Sequence, residues 1–116
     1  MLSQEDKLWA ASGHLSYVLG LPIIFPVILY LWKKDSAPFV ADQAKQAIGL
    51  HLVTVIVSVL AVAFSFATFG IGILAAVPFL MLFATAAFVF SVVAALKISD
   101  GQSYQYPLFG EWIDRL

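Results

Sequence analysis

His14 and His51 lie in or beside the apolar stretches of this chain. An ionisable side chain there is a functional candidate, because keeping it away from water carries a cost that something must offset. His14 sits in Ser12-Gly13-His14-Leu15-Ser16-Tyr17, an unusually polar run for an apolar block. Its imidazole and the Ser16 hydroxyl could line a path for a small polar species. The more ordinary role for each imidazole is a hydrogen bond to a hydroxyl or carbonyl of a neighbouring helix. A metal site needs further donors, and the nearest, Asp42 and Gln43, form no recognised ligand spacing. A serine nucleophile needs a base and an orienting acid, and no such set is visible. Gly70-Ile71-Gly72 is too short for a dinucleotide loop, and no phosphate-binding lysine follows it. Cysteine is absent, which excludes disulfides, thiolate metal sites and thiol catalysis. The expectation is a protein that is not an enzyme, with no cofactor and no metal.

Composition says what kind of scaffold must hold those side chains. A chain of 116 residues has room for one domain. Hydrophobic residues make up 62% and charged residues 11%, against about 45–50% apolar and about 25% charged in soluble proteins. Mean hydropathy is +0.96. A soluble domain this small buries too little of its surface to hide so much apolar area. The net charge of −1 leaves no electrostatic footprint for nucleic acid. The chain reads as an all-α integral membrane protein.

The charges locate the crossings. Lys7 is followed by no charge until Lys33, and Lys45 by none until Lys97. The first gap, 8–32, would run about 38 Å as one helix, enough to cross a hydrocarbon core of about 30 Å. The second, 46–96, would run about 77 Å and must fold back. Phe69-Gly70-Ile71-Gly72 lies near its middle, and two glycines there can take the positive φ of a tight connection. Gly20-Leu21-Pro22 and Pro26 interrupt the first block. It is either a kinked span, giving three crossings, or a short helical hairpin, giving four helices. Its acidic start at Glu5 and Asp6, and its length, argue against a cleaved signal peptide. The expected organisation is one small helical bundle with three long hydrophobic segments. A broken first segment covers 3–34, and a loop with an interfacial helix start covers 35–45. Spanning helices cover 46–68 and 73–97, joined by a turn at 69–72, and a tail covers 98–116.

Lys33, Lys34 and Lys45 flank one end of the apolar runs, as do Lys97 and Arg115, whereas the 69–72 turn carries no charge. The positive-inside rule then puts the 33–45 loop and the tail in the cytoplasm. Trp9, Trp32, Tyr104, Tyr106 and Trp112 sit near the ends of apolar blocks, where interfacial aromatics belong. Thr54, Ser58, Ala61, Ser65 and Thr68 follow helical spacing, and so do Ala84, Ala87, Ser91 and Ala94. Close approach through such small residues is how membrane helices pair. The two stripes are expected to face each other, with Phe64, Phe66, Phe83, Phe88 and Phe90 turned outward. In the loop, Ser36 can cap a helix with Pro38 in its first turn. Phe39, Val40, Ala44 and Ala47 would share one face, and Asp42, Lys45 and Gln46 the other.

These residues carry a resemblance. His14-Leu15-Ser16, then Leu29-Tyr30-Leu31-Trp32-Lys33-Lys34-Asp35, then Pro38-Phe39-Val40 with Ala44-Lys45-Gln46-Ala47 follow in order. Ala94-Ala95-Leu96-Lys97 with Gly101, Tyr104, Tyr106 and Pro107 completes the series. The order resembles the Tic-twenty-like family, small bacterial membrane proteins related to a subunit of the chloroplast inner-envelope import machinery. The chain departs from the family pattern at Gln43, Gly49 and His51. The resemblance implies a four-helix protein with both termini on one side, and hence a hairpin for the first block. It also implies a setting in protein translocation.

The combined expectation is a non-enzymatic, multi-pass assembly or accessory protein of the bacterial cytoplasmic membrane. Its partners are the lipid bilayer and either itself or other membrane proteins, with no nucleic acid. The Lys33, Lys34, Asp35, Pro38, Phe39 and Lys45 loop is the candidate partner surface. A small oligomeric channel or carrier, its path built around His14, Ser16, Thr54 and Ser58, is the alternative.

Overall fold

The computed structural model describes residues 3–20 and 23–116, and every regular element among them is helical. Leu21 and Pro22, part of the expected break in the first block, lie outside the described residues. Helix α1 covers Gln4–Val18, α2 Ile24–Lys33, α3 Pro38–Ala67, α4 Ile73–Ser99 and α5 Gly110–Asp114. Ser3 caps α1 by accepting from the Asp6 amide at 3.0 Å, and Glu5 and Asp6 place negative charge at the positive end of the helix dipole.

Two helices, not three segments, are long and apolar enough to cross a membrane: α3, with 30 residues, and α4, with 27. They extend about 45 Å and about 40 Å. The first block is instead two helices of 15 and 10 residues, about 22 Å and about 15 Å long, each short of a hydrocarbon core of about 30 Å. Of the two readings of that block, the kinked continuous span is therefore replaced by a short hairpin.

The helix start read within the 35–45 loop is the start of α3, which runs unbroken from there through the apolar stretch that begins at Gln46. Pro38 starts α3, where its missing N–H costs nothing. Ala37 rather than Ser36 takes the cap position, and no side chain caps this end. At the far end, Gly70 donates to the Ser65 carbonyl at 2.7 Å and Phe69 to the Phe66 carbonyl at 3.0 Å, the pairing of a Schellman closure. Gly70 has the expected positive φ of 88°, but the second positive φ, 56°, belongs to Phe69 and not to Gly72. Gly72 is needed for room: a Cβ there would strike the Thr68 hydroxyl and come within 2.8 Å of the Phe64 ring.

The molecule is long and narrow, 54 × 23 × 23 Å, and its core lies toward one end. The α1–α2 hairpin packs on the first half of α3 and the last part of α4. Ala10, Leu29, Ala37, Val40, Ala44 and Ile98 form one cluster there. Leu50, Ala87, Ala94, Tyr104 and Tyr106 form a second. Gly13 allows the close approach, since a Cβ on it would lie 3.2 Å from Leu29. Between Val55 and Ala86, only Ala61, Gly72 and Ala76 are buried. The far half of the α3–α4 pair is bare and apolar.

Candidate functional site

The polar side chains converge in the packed half. His14 is fully buried, with Nε2 2.9 Å from Gln43 Oε1 and Nδ1 2.6 Å from the Tyr106 hydroxyl. Gln43 Oε1 also accepts the Tyr104 amide at 3.2 Å. That fixes the oxygen as an acceptor, so His14 donates from Nε2, and in a neutral ring Nδ1 accepts from Tyr106. Burial lowers the His14 pKa from 6.5 to about 4, which keeps the ring neutral. Burial pushes the Tyr106 phenol far up, so it holds its proton.

Gln46, one turn after Gln43, repeats the arrangement. Its Oε1 accepts the Tyr106 amide at 3.2 Å, and its Nε2 donates to the Gly110 carbonyl at 2.7 Å and to Asp114 Oδ1 at 2.8 Å. Residues 102–106 belong to no helix or strand, but burial alternates along them, with Tyr104 and Tyr106 buried and Ser103, Gln105 and Pro107 exposed, the period of an extended chain. Tyr104 and Tyr106 both turn inward, and the two glutamines satisfy the amides that a neighbouring strand would otherwise pair. The tail is latched, not free. Gln105 adds a bond to Asp114, and Lys45 Nζ reaches the Asp114 carbonyl at 3.4 Å. Gly101 turns the chain back with φ 81°, and Pro107 is exposed.

Gly49 seats α5: a Cβ at this position would lie 2.8 Å from Ile113 Cγ1. Gly49→Val is expected to push α5 off α3 at a cost of about 1–3 kcal/mol. Hydrogen exchange at the 110–114 amides should then accelerate, with the middle of α4 unchanged.

The other singled-out residues are spread around this latch. Ser16 is buried and donates to its own helix at Gly13, 2.6 Å. His51 lies edge-on to Tyr17, ring centroids 5.3 Å apart, and its Nε2 has no partner. The Thr54 and Tyr17 hydroxyls are 3.0 Å apart. Ala61, Ala87 and Ser91 are buried, whereas Ser58 and Ser65 are half-buried. Ala84 is exposed and Phe83 packs on the second core cluster. Lys34, Asp35 and Pro38 are exposed, and Phe39 packs against the first cluster. Lys33 Nζ stands 4.1 Å over the Trp32 ring and 4.0 Å from Glu5.

Sequence reasoning singled out His14, Tyr104 and Tyr106, which the fold brings together, but not the glutamines that join them. Gln46 was assigned to the polar face with Asp42 and Lys45; it is buried. The usable signal was two amides one helical turn apart beside two tyrosines two residues apart. Among the described residues no group of three or more His, Asp or Glu could hold a metal. Two apolar grooves of about 570 and 510 Å3 flank the far end of the α3–α4 pair, around Ala61 and Ala76. Neither includes His14.

The family model described as the magnetosome magnetite crystal formation protein family, MamF/MmsF, matches residues 5–113. No curated protein and no solved structure matches. The match takes in every residue that carried the Tic-twenty-like resemblance and replaces that assignment. The translocation setting falls with it.

Proposed function

The chain belongs to the MamF/MmsF magnetosome family, and from that membership we propose that it is a non-enzymatic membrane component of the compartment in which magnetite crystals form. The family match over residues 5–113 carries the reading. The architecture supports it. α3 and α4 supply the anchor, and the α1–α2 hairpin and the latched tail pack against one end of it. Lys7, Lys33, Lys34, Lys45, Lys97 and Arg115 all belong to that end, and the 69–72 turn has no charge. The positive-inside rule therefore favours a cytoplasmic face for the bundle, the 34–37 connection and the tail. Self-association or assembly with other membrane proteins fits a chain whose far half is bare.

A channel or carrier around His14 has less support. Both imidazole nitrogens are engaged by side chains of the same chain, and the ring is fully buried.

Crystal-bearing membranes can be collected with a magnet and the chain sought in them. It is expected there, resistant to a high-salt wash, and deletion of its gene should alter the size or shape of the crystals seen by electron microscopy. Crystals unchanged in the deletion strain would sink the reading.

A further inference from the structure

The two spanning helices are unequally clothed along their length. At one end they carry α1, α2 and the tail; at the other they stand alone. Tyr17, near the top of α1, meets α3 at His51 and Thr54. Thr54 lies nine residues beyond Lys45, the last charge before the apolar run, about 14 Å along the helix. That is close to half of a hydrocarbon core of about 30 Å. From Thr54, α3 continues to Ala67, about 20 Å farther.

The outward face of α2 carries Ile24, Ile28, Leu31 and Trp32, all more than half exposed. A row of that kind belongs in lipid. Below it, Trp9 and Trp32 meet edge to face at 4.9 Å beside Lys33, the aromatic-basic grouping that marks a membrane surface. The hairpin is therefore lipid-facing, rooted at the surface and too short to reach the other side.

We propose that the α1–α2 hairpin occupies one leaflet only, making the molecule a wedge whose fitting partner is a strongly curved bilayer with that leaflet on its convex side. One leaflet accommodates four helices, the other two, each helix about 10 Å across. This unequal displacement is relieved where the hairpin leaflet is stretched. The inference rests on the reading that α3 and α4 cross the membrane. With the lysine-bearing end in the cytoplasm, the convex leaflet is the one a vesicle lying inside the cell turns to the cytoplasm.

The test uses the full chain, which has no native cysteine, in giant vesicles of phosphatidylcholine and phosphatidylglycerol with a narrow tube pulled from each. Ser36→Cys and Ile71→Cys report the two ends, and an impermeant dye added outside marks only the molecules presenting that end outward. Ser36-labelled molecules should concentrate in the tube increasingly as it narrows, and Ile71-labelled molecules should be depleted from it. Leu19→Cys, carrying a small fluorophore, should be quenched best by lipids brominated deep in their chains. Equal sorting of the two populations, or labelling of Leu19→Cys from the face opposite Ser36, overturns the wedge. Labelling of Ser36 and Ile71 from the same face of one oriented preparation overturns the crossing of α3 and α4 instead.

Discussion

Gln46→Leu releases the C-terminal tail while α3 and α4 stay in place. Leucine fills much of the same volume but offers no acceptor to the Tyr106 amide and no donor to Gly110 or Asp114, the three groups Gln46 now serves. Asp114 is half-buried and keeps Gln105 as a donor, so the loss falls on the Tyr106 amide and the Gly110 carbonyl. At about 1–3 kcal/mol for each buried group left without a partner, docking should weaken by roughly 2–6 kcal/mol in all. Hydrogen exchange reads this directly, because protection reports the free energy of local opening. The Tyr104 and Tyr106 amides should exchange about thirty-fold to twenty-thousand-fold faster, since 1.4 kcal/mol is a factor of ten. Gly110→Ala attacks the same contact by another route: a Cβ there would lie 2.8 Å from both the Gln105 carbonyl carbon and Gln46 Oε1. Unaltered protection at Tyr104 and Tyr106 in both variants would show that the tail is held by something else.

Acid should open the same latch in the unaltered protein. The docked tail seals His14, whose pKa is lowered to about 4; released, the imidazole meets water and returns toward 6.5. Above about pH 7 both states are neutral and docking does not depend on pH. As pH falls below 6.5 the released state takes up a proton that the docked state refuses, so docking weakens until pH reaches about 4. The loss over that window is about 3 kcal/mol at 1.36 kcal/mol per unit. The change should appear as faster exchange at Tyr104 and Tyr106 after correction for intrinsic rates. His14→Asn should flatten the profile, since no titrating group remains at the centre. A profile equally steep in His14→Asn would assign the acid sensitivity elsewhere, the Asp42 carboxyl, raised by burial, being the nearest candidate.

The long charge-free run exposed α3, the turn and α4 because lipid demands an uninterrupted apolar length, which a linear count of residues measures well. The start of α3 was legible as well: Pro38 belongs in a first turn, although Ala37 and not Ser36 takes the cap position. The faces of that helix were less legible. Hydropathy placed Gln46 with Asp42 and Lys45 on the polar face, although an amide that pairs backbone groups is at home inside. In the turn, glycine content identified the place but not the mechanics: Phe69 takes the left-handed conformation and Gly72 supplies space. His14 stood out because its neighbours are apolar. Its partners did not, because Gln43 and Tyr106 lie 29 and 92 residues away and only the folded chain brings them near.

That last separation has a consequence for synthesis. A ribosome adding about 5–20 residues per second has made α1 and α2 long before Tyr106 emerges. For the 92 residues between His14 and its hydroxyl partner, the wait is roughly 5–18 s at that rate. Throughout it, the most deeply buried imidazole of the finished protein has no hydroxyl to accept from, and the groove between α1 and α3 stands open. A nascent chain stalled before residue 104 therefore holds the His14 ring from one side only, by Gln43. Completion of the tail supplies the other.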